Sequence, residues 1–355
     1  MTGKVILYGA SGYTGRKIAT QIADEVDLVL AGRSEERVKA IAQPLGLKWK
    51  AFDLSDAGEN ARMLRGSTCV VNAAGPFDAT ASALIDACLK TGTHYLDLGG
   101  EWPVFIEIMA RHDEARDKGV MLLPGIGLTI AATDCLLKRA VELWPETRHL
   151  YLGISRAQVV SRGSATSMAG MVNPTALIQR DGELVEVPSG SLSRAFDFGE
   201  GMSEAVAMSW ADVVTAPFTT GIPNIEVYNE MRWHERATYR GIGLGMGVTG
   251  AKPWRSAGGL IAKAWPEVPA EHTRQNARFT MVVEAVDRWR RSHWLRMETL
   301  DGYGASVRLA ETVINRVLAG ETQAGFVTPA NLFGSQLVET SGAGVIEAPD
   351  GRSAA

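Results

Sequence analysis

The 355-residue sequence is poor in cysteine, has no surplus of basic charge and contains no uninterrupted apolar stretch of membrane-spanning length. Its three cysteines, Cys69, Cys88 and Cys135, are odd in number, far apart and never spaced as Cys-x-x-Cys. That excludes a disulfide framework and points to a reducing compartment. With 36 Lys and Arg against 40 Asp and Glu, the formal charge is −4. No cationic excess is left to neutralise a phosphate backbone, so a nucleic-acid partner is not expected. The longest apolar stretch, residues 120–137, is interrupted by Pro124, Gly125, Gly127 and Asp134. It suits a strand, loop and helix better than a bilayer span. The histidines, His94, His112, His149, His234, His272 and His293, show neither HxxxH nor HExxH spacing, so no metal site is expected. The N-terminus runs into a strand with no apolar signal region, and the expected location is cytoplasmic.

What is present is a regular alternation. Apolar runs at residues 4–9, 28–31, 49–52, 69–72, 94–98 and 120–123 read as strands. Helical spacing falls between them at 15–23, 35–42, 57–64, 80–91 and 103–118. This predicts an α/β fold with a Rossmann-type, doubly wound parallel sheet over residues 1–140. From 141 to 341 the pattern changes to longer strand-like runs (150–155, 279–286, 293–299) with Gly-, Pro- and Trp-bearing turns. That predicts a second α+β domain covering the nucleotide cleft, with the last helices, including 306–319, packing back on the first domain. The glycine-rich run 241–250 reads as a surface loop or mobile lid. Arg288-Trp289-Arg290-Arg291 reads as a hairpin turn, and residues 342–355 as a frayed tail. A homodimer through the second-domain sheet would cover a large apolar area.

Gly9-Ala10-Ser11-Gly12-Tyr13-Thr14-Gly15 directly follows the first predicted strand and opens a helix. The first glycine permits a tight turn, the second lets backbone N–H groups approach a pyrophosphate, and the third allows close helix–sheet packing. Thr14 and Arg16 are placed to touch phosphate, although Arg16 serves equally well as a solvated helix residue. An NAD-binding chain usually carries Asp or Glu at the end of the second strand; here Gly32-Arg33-Ser34 stands there. Arg33 suits a 2′-phosphate and adenine stacking, and Ser34 a phosphate hydrogen bond or the N-cap of the next helix, so NADP(H) is the expected cofactor. Asp53, after the third strand, suits the adenine amino group, with an N-cap at Ser55 as the competing role. Asn72-Ala73-Ala74-Gly75-Pro76, after the fourth, leaves room for ribose and nicotinamide.

These pieces, together with Tyr95-Leu96-Asp97-Leu98-Gly99-Gly100-Glu101, Pro124-Gly125-Ile126-Gly127 followed by Asp134, the segment 163–167, Asp301-Gly302-Tyr303 and Thr328-Pro329-Ala330, resemble the saccharopine dehydrogenase-like reductases, including their enoyl-reductase-like bacterial branch. The resemblance implies nicotinamide-dependent reduction of a C=N or C=C bond in a small-molecule substrate. Leu128-Thr129 and Ser164-Ala165 depart from the family pattern where substrate would be expected.

Hydride transfer commonly needs a proton donor beside the acceptor. Glu101 is the first choice, with Tyr95 and Asp97 next, and Asp134 and Tyr303 also in range. Glu101 serves equally well as the start of a helix. Ser164, Thr166 and Ser167 suit a substrate carboxylate or carbonyl, or form a plain serine-rich turn. The Tyr13/Lys17 pair lies inside the glycine loop and cannot act as a short-chain dehydrogenase pair. The cysteines lack the setting of an acyl-phosphate reductase nucleophile and read as core residues. A non-catalytic NADP-binding sensor is the competing function.

Overall fold

The computed structural model describes residues 3–156, 173–263 and 277–347. The chain divides into two units, Met1–Ala131 with Tyr303–Phe333, and Ala132–Gly302 with Gly334–Ala355.

The first unit is built on β1 (Lys4–Tyr8), β2 (Asp27–Gly32), β3 (Lys48–Ala51), β4 (Cys69–Asn72), β5 (His94–Asp97) and β6 (Met121–Leu123). A two-residue strand, Gly325–Phe326, completes a seven-stranded sheet ordered Gly325–Phe326, β6, β5, β4, β1, β2, β3. Every neighbouring pair is parallel. The strands are apolar runs because helices cover both faces. Val5, Ile6, Leu7, Val70 and Val71 are completely buried, each stabilising the fold by roughly 1.5–3 kcal/mol relative to an exposed position. The strand order reverses between β1 and β4, and the cleft outside their carboxyl ends is where such sheets bind ligands.

Helices α1 (Tyr13–Ile22), α2 (Glu35–Ala42), α3 (Ala57–Leu64) and α4 (Ala81–Thr91) occupy the expected places. The stretch 103–118, predicted as one helix, is two: α5 (Trp102–Met109) and α6 (His112–Asp117). Arg111 leaves helical geometry (φ −91°, ψ 6°) and pairs with Asp86 at 3.0 Å and Glu114 at 2.7 Å. The helix Gly302–Leu318 braces α1 from within the same unit. Glu311 accepts from Gln21 at 3.0 Å, Asn315 donates to Glu25 at 3.0 Å, and the Tyr303 ring meets Tyr13 edge-on at 4.9 Å.

The second unit carries a mixed sheet of β7 (Thr147–Ile154), β8 (Thr175–Arg180), β9 (Glu183–Pro188), β10 (Ser193–Asp197), β11 (Met202–Ala207), β12 (Ile225–Glu230), β13 (Phe279–Asp287) and β14 (Ser292–Thr299). Its path runs β10, β11, β12, β7, β13, β14 and then Gly344–Glu347, with β8 pairing β12 and β9. The predicted strands 150–155, 279–286 and 293–299 therefore lie side by side. Arg288–Arg291 forms the expected turn between β13 and β14. Asp287 closes it by accepting from the Trp289 and Arg291 amides at 2.8 and 3.0 Å. Two expectations are corrected. Residues 241–249 of the glycine-rich run are helical, inside Trp233–Thr249. The expected tail begins with an edge strand, Gly344–Glu347, paired with β14 and anchored by the fully buried Ile346. Among the described residues, no helix is long and apolar enough to cross a membrane.

Helices α7 (Thr133–Leu143) and α8 (Asp212–Thr220) pack together and bury two carboxyls, Asp134 and Asp212. Burial pushes Asp212 up to about 7; the Thr133 hydroxyl opposes this and the Asp134 charge adds to it. The folded state holds a proton that an unfolded aspartate releases near 3.8. Stability from this group is thus complete at low pH and lost as pH rises through about 7. Asp212→Asn is expected to shrink the fall in thermal midpoint between about pH 5 and about pH 8, measured by calorimetry against the parent.

Candidate dinucleotide site

The turn from β1 into α1 is held by backbone bonds from the Gly9 and Ala10 amides to the Ala31 carbonyl, at 2.9 and 3.2 Å. Gly9 has φ +88°, and a Cβ there would lie 2.6 Å from the Ala74 amide nitrogen. A Cβ on Gly15 would lie 2.5 Å from the Gly9 carbonyl oxygen. Side chains at Gly9 and Gly15 would collide with the backbone of the loop itself or of the loop after β4, so this tight turn requires glycine at both positions.

Its helix is left open for an anion. Gly12 is the N-cap of α1 and supplies no side-chain cap, and the first turn contains no acidic residue. The neighbouring helices differ. Ser34 caps α2, accepting from the Arg37 amide, and Glu35 and Glu36 follow. Asp56 caps α3, accepting from the Gly58 and Glu59 amides at 2.8 and 3.0 Å. Asp56 thus holds the place considered for Ser55. The positive end of α1 and its amides in the first turn match a pyrophosphate. Ser11, Gly12, Tyr13 and Thr14 lie at this opening, all half-buried.

At the carboxyl end of β2, Arg33 and Ser34 are exposed. Asp53, after β3, accepts from the Ser55 amide at 2.7 Å. The Ser55 hydrogen bonds, helped by the Arg33 charge, hold its carboxyl below the usual aspartate range. The residues present fit a dinucleotide with a 2′-phosphate: amides and a helix terminus for the bridging phosphates, a solvent-facing guanidinium and hydroxyl for the third.

The loops after β4 and β5 are joined by a buried network. Asn72, completely buried, accepts from the Ala74 amide at 3.0 Å and donates to Thr80 Oγ1 at 2.9 Å and Tyr95 Oη at 3.2 Å. Tyr95 in turn donates to Asp97 Oδ2 at 2.8 Å. Asp97 Oδ1 accepts from the Gly99 and Gly125 amides, both at 2.8 Å. The Gly75–Pro76 peptide is cis, and Gly75 and Pro76 are exposed beside half-buried Ala73 and Ala74. Thr80, which the sequence pattern does not single out, ties this loop by donating to the Ala74 carbonyl at 2.9 Å. Its place just before a helix is the only signal that could have found it.

The proton-donor candidates separate by burial. Tyr95 and Asp97 are both 0% exposed. Burial pushes Asp97 up to about 6 against the pull of its three donors, and pushes the Tyr95 phenol well up. Glu101 is half-buried, precedes α5 as its N-cap residue and accepts from the Gly100 amide at 3.0 Å. Tyr303 packs on Tyr13, and Asp134 lies buried in the second unit. Ser164, Thr166 and Ser167 lie outside the described residues. Cys69, Cys88 and Cys135 are free and buried, and burial raises each thiol, Cys69 to about 12.

Residues 5–123 match the family model described as the saccharopine dehydrogenase NADP binding domain. This stretch is similar to a saccharopine dehydrogenase NADP-binding domain. Its cofactor type agrees with the reading of Gly32-Arg33-Ser34. Among relatives, the chain is 28% identical over 152 residues to a human saccharopine dehydrogenase-like oxidoreductase, covering 37% of this chain and 35% of that one. It is 31% identical over 140 residues to a putative trans-acting enoyl reductase of Mycobacterium tuberculosis, covering 37% and 33%. The matched region thus spans about a third of the length of these relatives. Two solved structures share the fold across nearly the whole chain at 11% identity. One is saccharopine dehydrogenase of Saccharomyces cerevisiae (TM-score 0.65, 97% of this chain and 99% of that one). The other is homospermidine synthase of Legionella pneumophila in complex with NAD (TM-score 0.67, 98% and 92%).

In the NADP-binding domain, Gly12 tolerates a Cβ better than Gly9 or Gly15, its nearest neighbour being the Gly9 carbonyl oxygen at 3.2 Å. Gly12→Asp is therefore expected to fold, yet to abolish NADPH binding in a fluorescence titration by setting a carboxylate where phosphate belongs.

Proposed function

We propose that the protein is an NADPH-dependent reductase, active in the cytoplasm, that delivers hydride to an activated C=C or C=N bond of a small organic substrate. The observation that carries this reading is the uncapped, acid-free start of α1 set beside exposed Arg33 and Ser34 in an NADP-binding domain. When bound, the cofactor supplies the hydride. The chain supplies the rest: residues 9–15 hold the bridging phosphates, Arg33 and Ser34 the 2′-phosphate, Asp53 the adenine, and the Asn72–Pro76 loop the ribose and nicotinamide. The enoyl reductase name of the mycobacterial relatives supports a C=C acceptor.

Glu101 is the proposed proton donor because it is the one of the three first-ranked groups with exposed surface. Tyr95 and Asp97 then act as positioning residues, fixing the loops on either side of it.

The test is NADPH oxidation against a panel of enones, imines and keto acid–amine mixtures. Turnover of an enone or imine supports the reading; tight NADPH binding with no oxidation on any member points to a sensor instead. Arg33→Ala is expected to weaken NADPH by roughly ten- to a hundredfold, as for loss of a charged hydrogen bond, and to leave NADH little changed. Equal losses for both cofactors would sink the 2′-phosphate assignment. Glu101→Gln is expected to lower kcat by about 10²-fold or more at unchanged NADPH affinity, measured in steady state.

A further inference from the structure

The second unit carries a helical hairpin that turns apolar surface outward. It consists of α9 (Trp233–Thr249) and α10 (Ala251–Lys263). Helix α9 is seated through Tyr239, Gly243 and Met246, which are buried. The Tyr239 hydroxyl lies 3.2 Å from Ser189 Oγ, and a Cβ on Gly243 would lie 3.0 Å from Ser189 Cβ. At 3.6 residues per turn, Trp233, Ala237, Gly241, Leu244 and Val248 fall within an arc of about 80° on the side away from that seat. None of the five is charged and all are exposed; Trp233 and Leu244 reach 75% and Val248 88%. Helix α10 packs its Trp254 ring against Gly245, donates from Trp254 Nε1 to Thr249 Oγ1 at 2.8 Å, and leaves Leu260 68% exposed.

Charge identifies what covers this face. Residues 232–263 contain Arg232, Arg236, Arg240, Lys252, Arg255 and Lys263 against the single acid Glu235, a formal +5 in a chain whose total is −4. Arg236 is committed to Glu204 at 2.8 Å, whereas Arg232, Arg240 and Lys252 are exposed. We propose that this hairpin docks the protein on the surface of an anionic lipid bilayer. Trp233, Leu244 and Val248 enter the boundary between headgroups and acyl chains, and the flanking cations meet lipid phosphate. Neither helix is long and apolar enough to cross, so the hairpin lies along the interface. A second copy is the weaker occupant, because a two-fold contact would set one +5 hairpin against another.

The experiment uses the whole protein with vesicles of phosphatidylcholine alone or mixed with phosphatidylglycerol. Co-sedimentation with the anionic vesicles only, released by salt, together with a blue shift of tryptophan emission that Trp233→Phe removes, is the expected result. The pair Leu244→Ser and Val248→Ser should weaken vesicle partitioning by about tenfold or more, with NADPH affinity unchanged as the measure of folding. Failure to bind anionic vesicles, equal binding to both vesicle types, or full binding by the double variant would each overturn the proposal. So would a solution dimer that the double variant dissociates in the absence of vesicle binding. Because NADPH affinity is read separately, loss of vesicle binding and loss of the reductase reading are distinguishable.

Discussion

The Asp97 carboxylate, completely buried, divides its two oxygens among the Gly99 amide, the Gly125 amide and the Tyr95 hydroxyl, each at 2.8 Å. Removing a carboxylate from water is costly, and these three donors are what make its burial tolerable. They come from β5 itself, from the chain after β5 and from the chain after β6, so satisfying one charge fixes more than one loop at once. The Gly99 bond turns the chain after β5, and the Gly125 bond brings in the chain after β6. Tyr95 passes the constraint to Asn72, whose side chain accepts from the Ala74 amide in the loop after β4. That amide lies where a Cβ on Gly9 would collide, 2.6 Å away. A single carboxylate thereby sets the spacing of the loops on both sides of the strand-order reversal.

This arrangement separates two jobs that carboxylates can do at a strand end. A proton donor must exchange its proton with a reacting atom, and a strut must keep its partners through the cycle. Every oxygen of Asp97 is engaged with protein donors, and the Tyr95 hydroxyl is used as both donor and acceptor. Protonating Asp97 would weaken the amide bonds that set the loops. Burial raises its carboxyl to about 6 and the donors restrain that rise, so the strut is firmest when ionised, above that value. Glu101 accepts from the Gly100 amide and, unlike Asp97, keeps part of its surface exposed.

The first sheet was legible in the sequence because a buried parallel strand has one signature, an apolar run ending in small or polar residues, and it repeats with helical spacing between. β4 matches its predicted residues outright, and β1 to within one residue. The alternation of a strand did not, however, identify which side chains face solvent. In a sheet covered on both faces, Tyr95 and Asp97 are equally buried, so proximity to a strand end overstated their access. The break at Arg111 was hidden because ion pairs to Asp86 and Glu114, not a Gly or Pro, accompany it. Strand Gly325–Phe326 and its place beside β6 were hidden because two residues carry no period. Of the expected substrate contacts, Ser164, Thr166 and Ser167 lie outside the described residues.

Glycine was informative in one segment and misleading in another, for one physical reason. In residues 9–15 the backbone needs what only glycine allows: a positive φ at Gly9 and contacts that a Cβ would break at Gly9 and Gly15. In α9 the glycines keep helical geometry at a cost of about 1 kcal/mol each relative to alanine. Some of them recover that cost through close packing. A Cβ on Gly245 would lie 2.5 Å from the Trp254 ring, and Gly243 sits against Ser189. Propensity alone therefore argues for a loop where tertiary contact enforces a helix. The same helix also escapes periodicity. Its seated face (Tyr239, Gly243, Met246) and its exposed face (Trp233, Ala237, Gly241, Leu244, Val248) are both free of charge. A helix with two apolar sides has no single polar face for a 3.6-residue period to reveal. Only packing shows which side the fold has covered and which it has left outward.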